Sequence, residues 1–309
     1  MAMNTREEVT KSRKTLNRAI QIDRDCIRAY HTMIVAIRDY AIGELAADDV
    51  WPEIMTHALE ILKLDDTSFE AQYWLAFYKL SYEWNWQEAK QVFERLIRWH
   101  PEDHISWAVY YLTIGRTNES RLEQRKLEAE DPTDWLHRLY VAIGAFAEGR
   151  YDDGIREGHR ADALDAKQYG QHCFAAQCAI AKKDFRLALE EIRKTRDLFN
   201  APEFLALEGY TYALMGEREK AADTLRELER QKSNRYVQPY FVARVHAALG
   251  NRAEALTYLE RAFDKKAEAL VNPHFGGGGL RRDPAWDGLR DEPRFQALLK
   301  KIGLDVWPK

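Results

Sequence analysis

Four glycines followed by two arginines, in the stretch HFGGGGLRRDP (274–284), are the residues best suited to holding a phosphate. Glycine lets backbone N–H groups approach an anion, and arginine adds charged donors. A phosphate loop, however, requires a strand, then GxxxxGK[ST], then a helix whose N-terminus faces the phosphate. No strand is predicted before these glycines. Leu280-Arg281-Arg282 follows Gly279 where Lys-Ser or Lys-Thr would be needed. The stretch therefore reads as a flexible turn, because glycine supplies backbone freedom without steric cost.

Other chemistry-bearing residues give weaker patterns. His172, Cys173 and Cys178 lie close in sequence and could suggest a soft metal site. On a helix, though, residues five apart are separated by roughly 500° of rotation and diverge. Structural zinc sites use tighter pairs, so buried free thiols are expected and no metal. The carboxylates of EEIRKTRD (190–197) alternate with Lys and Arg and read as a solvated helical face. No nucleophile elbow, HExxH or serine triad order occurs, and no cofactor site is read. His100, His104 and His137 fall near element boundaries and are expected to be structural. Trp84 and Trp86 flank Asn85 in an otherwise polar turn, where the indoles are expected to lie over helix ends.

The positioning elements must be soluble and mostly helical. Of 309 residues, 31% are charged and 46% apolar, too apolar for disorder. The net charge of −4 gives no basic excess for nucleic acid or an anionic membrane. The N-terminal stretch has no signal-peptide core, and no run reaches the ~20 apolar residues of a membrane span. Three cysteines cannot form a disulfide framework and suit a reducing compartment, so a cytoplasmic location is expected.

Small residues recur at Ala76, Ala108, Ala142, Ala176, Gly209 and Ala243, and again at Ala89, Ser120, Gly154, Ala188, Ala221 and Ala255. Between the two series lie turns at Gly115, Gly149, Lys183, Gly216 and Gly250. Each unit is predicted to be two antiparallel helices whose axes come closest at the small residues. A single hairpin cannot bury its apolar faces, so neighbours must stack.

A period near 34 with this small-residue pattern resembles the tetratricopeptide repeat (TPR), and EFLALEGYTYALMGEREKAADTLREL (203–228) is a close copy. The expected fold is all-α, a right-handed α-α superhelix of TPR hairpins with a helical C-terminal cap. N-terminal capping helices and a degenerate first repeat are expected over 1–68. Six TPR-like repeats should span 69–265, with a Gly-rich hinge and helical cap over 266–309. SYEWNWQEAKQVFERLIRWHPED (81–103), the last repeat (236–263) and LRRDPAWDGLRDEPRFQALLKKIGL (280–304) resemble a narrower group. These are the C-terminal TPR regions of bacterial adenylate cyclases, winged-helix transcription regulators and serine/threonine kinases. No effector domain is legible, so the chain is expected to be a stand-alone relative or the regulatory portion of a signalling protein.

The TPR resemblance implies that the first helix of each pair lines a concave groove. In this register the groove residues are Tyr73, Phe77, Val109, Tyr140, Ile143, Phe174, Gln177, Tyr210, Tyr240 and Arg244. A carboxylate clamp for acidic chaperone tails needs Lys, Arg and Asn there, and only Arg244 qualifies. An open apolar groove is unusual on a soluble monomer, so it should be covered. The cover would be a partner protein or peptide, a second copy in a homo-oligomer, or the chain's own tail (Phe275, Trp286, Trp307). The expected function is a non-enzymatic protein–protein interaction module. A small-molecule sensor is the alternative, and an enzyme the remote third.

Overall fold

The computed structural model describes residues 6–41, 45–271 and 279–305. Those residues are helical or irregular, with no strand among them. Two compact units meet in sequence at Pro101 and Glu102, after the first regular hairpin.

The first unit holds α1 (Arg6–Ile22), α2 (Ile27–Ala41), α3 (Ala47–Leu64), α4 (Phe69–Ser81) and α5 (Trp86–Trp99). Helices α2 and α3 pair, as do α4 and α5, while α1 packs on α2 and α3 on α4. Ala76 and Ala89 are both fully buried where α4 and α5 approach. The turn between them has an extra residue and places Trp84 at φ 57°, the conformation that other turns give to glycine. Both indoles of this turn are buried, and Asn85 caps α5 by accepting from the Glu88 N–H at 3.2 Å. The tryptophans are therefore largely withdrawn from solvent, not displayed as an open aromatic platform.

In the second unit α6 (His104–Thr113) pairs with α7 (Thr117–Glu130), and α8 (Trp135–Ala147) with α9 (Tyr151–Leu164). Next come α10 (Gly170–Ala181) with α11 (Phe185–Leu198), α12 (Pro202–Leu214) with α13 (Arg218–Gln231), and α14 (Pro239–Ala248) with α15 (Arg252–Asp264). The predicted small residues sit at the closest approaches. Ala142, Ala176, Ala188, Ala221, Ala243 and Ala255 have no exposed surface, and Ser120 donates its hydroxyl to the Ala108 carbonyl at 2.8 Å. A Cβ on Gly154 would lie 2.5 Å from Cys178 Sγ, and one on Gly158 would lie 2.9 Å from the Gln171 carbonyl oxygen. The connecting turns use left-handed residues, among them Gly115 (φ 87°) and Lys183 (φ 63°). After the second helices, Asp65 and Asp131 each accept from the backbone N–H and hydroxyl of a threonine two residues on, which ends the helix with a fixed bend.

The chain closes with a 3-10 turn (Glu268–Leu270), the short α16 (Gly279–Arg282), a second 3-10 segment (Pro284–Leu289) and α17 (Pro293–Ile302). The Pro284–Leu289 segment packs on α14, and α17 packs on α15. Of the expected glycine hinge, 276–278 lie outside the described residues. Gly279 is buried and fixed: its φ is +68°, and a Cβ there would lie 2.6 Å from the Leu270 carbonyl oxygen. Glycine is needed at 279 for close backbone approach, not for freedom.

Two substitutions test the close helix contacts, Ala142 within the α8–α9 hairpin and Gly158 between α9 and the next pair's α10. Ala142→Leu and Gly158→Ala should each destabilise the fold by about 1–3 kcal/mol, because each overfills a contact with little room to yield. Gly288→Ala, which meets nothing within 4 Å, should change little. Urea unfolding of the three variants checks this, and equal midpoints would remove the register.

Candidate partner-binding face

In the first unit, Tyr73 and Phe77 sit in a continuous aromatic patch. The Tyr73 ring lies 4.8 Å from Phe77, and Phe77 lies 5.7 Å from Phe93 at 79°. Phe69 stacks on Tyr73 at 5.9 Å and meets the His100 ring at 4.8 Å. Phe77 is buried and Tyr73 keeps part of its surface. Edge-to-face contacts of this kind add packing beyond burial alone.

In the second unit the first helices pack directly on one another, α6 on α8 and α8 on α10. Leu112, Ile143 and Phe174 form one cluster along them, with Leu139, Tyr140 and Ala147 at its edge. Val109, Ile143, Phe174 and Gln177 are each at most 5% exposed, while Leu139 and Tyr140 are half-buried. The sequence register located this face, but it is far less open than a bare groove. Successive first helices cover most of each residue that faces along the array. Gln177 donates weakly to Cys173 Sγ at 3.8 Å, and its buried Oε1 has no partner among the described residues. Burial pushes the thiols of Cys173 and Cys178 up to about 12.

Tyr210, Tyr240 and Arg244 meet at the far end, under the chain's own cap. Asp283 Oδ2 lies 3.0 Å from Arg244 Nε and accepts from the Tyr240 hydroxyl at 3.0 Å. Trp286 donates its indole N–H to the Tyr240 oxygen at 3.3 Å, and their rings meet edge to face. The Arg244 guanidinium also lies 4.5 Å from the Tyr210 ring centre. Asp283, Trp286 and Tyr240 have no exposed surface. Burial pushes the Asp283 carboxyl above its ordinary value, with Arg244 working against that rise. It also pushes the Tyr210 hydroxyl up to about 12 and that of Tyr240 well above its usual range. Of the tail aromatics expected to cover this face, Trp286 does so; Phe275 and Trp307 lie outside the described residues.

A second polar cluster went unread in the sequence. Glu191, within the run taken for a solvated face, is fully buried. His172 Nδ1 lies 2.7 Å from Glu191 Oε2, and His172 Nε2 lies 3.1 Å from Asp162 Oδ1. His159 Nε2 and Lys194 Nζ approach the other Glu191 oxygen at 3.3 and 2.8 Å. Two of the histidines near element boundaries have partners: His104 Nδ1 is 2.7 Å from Glu123, and His137 Nε2 is 4.0 Å from Asp134.

No protein-family model matches the sequence, and no curated protein matches it. Solved structures do match. A chain of the APC/C hetero-tetramer Cut9–Hcn1 aligns over 97% of this chain with 16% identity and a TM-score of 0.59. This chain spans 60% of that one. A human IFIT1 dimer with m7Gppp-AAAA aligns over 85% of this chain and 69% of its own, at 13% identity and a TM-score of 0.61. A tetratricopeptide repeat protein from Parabacteroides merdae aligns over 89% of this chain and 98% of its own, at 10% identity and a TM-score of 0.52. Together with the stacked hairpins, these likenesses establish a TPR-type fold.

The cap contact makes two predictions. Arg244→Met should cost about 3–5 kcal/mol by stranding the buried Asp283 carboxylate, whereas Arg244→Met with Asp283→Leu should recover much of that loss. Denaturation of both variants reads the difference, and equal losses would mean the two side chains are not energetically paired. A buried phenol contributes stability that is complete below about pH 10, where an exposed tyrosine ionises. That contribution is lost as pH rises through about 12, the value to which Tyr210 is pushed. The denaturation midpoint should therefore fall between these pH values, and less steeply in Tyr210→Phe.

Proposed function

We propose that the chain is a non-enzymatic protein-binding module whose partner segment docks along the first helices of the second unit. The observation that carries this reading is the apolar cluster Leu112–Ile143–Phe174, with Leu139 and Tyr140 partly open at its edge. Half-buried aromatic and aliphatic groups beside a rigid core are what an apolar helix or extended peptide needs for anchoring. Val109, Ile143, Phe174 and Gln177 support that surface from below, while Tyr140 makes the contact. Tyr73 and Phe77 would offer an aromatic surface of their own on the first unit. Tyr210, Tyr240 and Arg244 hold the cap, so a partner would reach them only by displacing it. The Cut9–Hcn1 neighbour, a TPR-type chain in an assembly with another protein, is consistent with such a role.

Catalysis fits poorly. The thiols of Cys173 and Cys178 are held protonated at neutral pH, and the buried carboxylates of Glu157, Glu191 and Asp283 are committed to Arg, His and Lys partners. The sensor reading expects a ligand among concave aromatics. The cleft of about 700 Å³ between α11 and α12 is lined instead by Arg186, Arg193, Arg196, Glu190, Asp197, Glu208 and Tyr212. Its charges are balanced, and Arg196 is paired with Glu208. The net charge of −4 also counts against a polyanion as partner. No described helix is long and apolar enough to cross a membrane. A bacterial, cytoplasmic regulatory role completes the proposal, on the resemblance of the long Trp turn and the cap segment.

A photo-crosslinking residue at position 140, compared with one at position 193 on α11, tests the docking face. A partner adduct should form at 140 and disappear when Leu139 is replaced by Asp in the same chain, with helicity unchanged by circular dichroism. Adducts confined to position 193 would move the binding surface to the outer helices.

A further inference from the structure

The joint between α9, α10 and α11 holds a proton-dependent constellation that the binding role does not use. His172, 5% exposed, faces a carboxylate oxygen with each ring nitrogen: Glu191 at 2.7 Å and Asp162 at 3.1 Å. A neutral imidazole has one donor nitrogen and one lone-pair nitrogen. It can satisfy one of these oxygens and must present a lone pair to the other. Only the imidazolium donates to both. His159 approaches Glu191 from α9 at 3.3 Å, with its ring partly exposed to solvent.

The surrounding charges depend on the same protons. Helix α9 contributes Asp162 and His159, and α11 contributes Glu190, Glu191 and Lys194. Lys194 contacts both glutamates, at 3.2 and 2.8 Å. Helix α8, also packed on α10, sends Arg138 to Glu128 and Glu157, each at 3.1 Å. With both histidines charged, three carboxylates face three cations. With both neutral, the same three carboxylates face Lys194 as their one cation in this joint, and Glu191 has no exposed surface.

We infer that this joint is a proton-operated latch: an imidazolium at His172, seconded by His159, fastens α9 and α11 to α10, and loss of the protons loosens α10. The consequence reaches the apolar cluster because α10 also carries Phe174 and Gln177. The signs agree from both sides. Desolvation alone would raise the Glu191 carboxyl, but hydrogen bonds from His159, His172 and Lys194 hold it well below its ordinary value. Its contribution is therefore present above the usual carboxylate range and lost as pH falls through its depressed value. The Glu191 hydrogen bond raises His159 above 6.5. That contribution is complete below about 6.5 and lost as pH rises through the raised value. The joint is tightest on the mildly acidic side of neutrality.

The ring nitrogens of His172 in the full chain report the state directly by NMR. At pH 6 both should carry protons, giving imidazolium nitrogen shifts. A neutral ring with one protonated nitrogen at that pH overturns the latch. In hydrogen exchange between pH 6 and 8, α10 amides should lose protection relative to those of α13, after correction for intrinsic exchange. Thermal melting of wild type should fall by a few degrees over that range. His172→Gln, which keeps a donor for Glu191 but cannot titrate, should flatten the fall, and Glu191→Gln should do the same if the first variant folds poorly. Parallel melting profiles in wild type and a folded variant would also overturn it.

Discussion

In each hairpin the two helix axes close until a residue on each helix has room for a methyl group or less. At Ala108 and Ser120 that contact includes a hydroxyl donated to the facing carbonyl at 2.8 Å; at Gly209 a Cβ would lie 2.6 Å from the Thr224 methyl of the paired helix. The rest of the fold depends on this spacing. Because each pair is tight, its large apolar groups are pushed to the two outer faces, where they can be buried only against the next pair. Stacking then follows, and with it the row of first helices that carries Leu112, Ile143 and Phe174 side by side.

An array made this way has an end problem, since the last pair has no successor to cover it. Here the cap supplies the cover with a buried ion pair, where apolar packing alone could have served. Desolvating Asp283 and Arg244 is costly, and such pairs are poor sources of net stability. Their geometry is selective, however. The carboxylate must face Arg244 and the Tyr240 hydroxyl together, while Trp286 reaches the same hydroxyl from another side. A cap shifted by one residue would strand these groups without water or partners. The polar contacts thus fix where the cap sits, and the surrounding apolar surface provides most of the attraction.

The repeat was legible because it is local and periodic: small residues about 34 apart and turns with left-handed backbone can be read without knowing the fold. The contacts between distant side chains were not. Glu191 sits in EEIRKTRD, where Arg193 and Asp197 are exposed. Only its position on the helix face, with the buried Ala188, Ile192 and Thr195, separates it from them. That helical spacing was available, but its histidine partners come from α9 and α10 and carry no mutual signal. Asp283 has a local reading as the residue that caps Ala285 N–H at 2.9 Å, which conceals its pairing with Arg244. Gly279 looks like its three neighbours in sequence, and only its approach to Leu270 marks it as obligatory. The register assigned the groove residues to a face, yet it carried no information on how much of that face the adjacent helix would bury.

That last gap bears on how a partner could bind. If the groove were open along its whole length, affinity would come from spread apolar contact. With Val109, Ile143 and Phe174 already shielded, little further apolar area is gained by covering them. Affinity must come from a few partly exposed groups at the edge, such as Tyr140 and Leu139, on a backing too rigid to reorganise. Binding energy concentrated in that way is sensitive to small displacements of the backing helices. A change that tilts α10 by even a fraction of a turn moves Phe174 against Ile143 and alters the surface Tyr140 rests on. On the proposed latch, the polar joint at Glu191 would therefore act on the apolar edge at Tyr140 through α10, which packs on both α8 and α11.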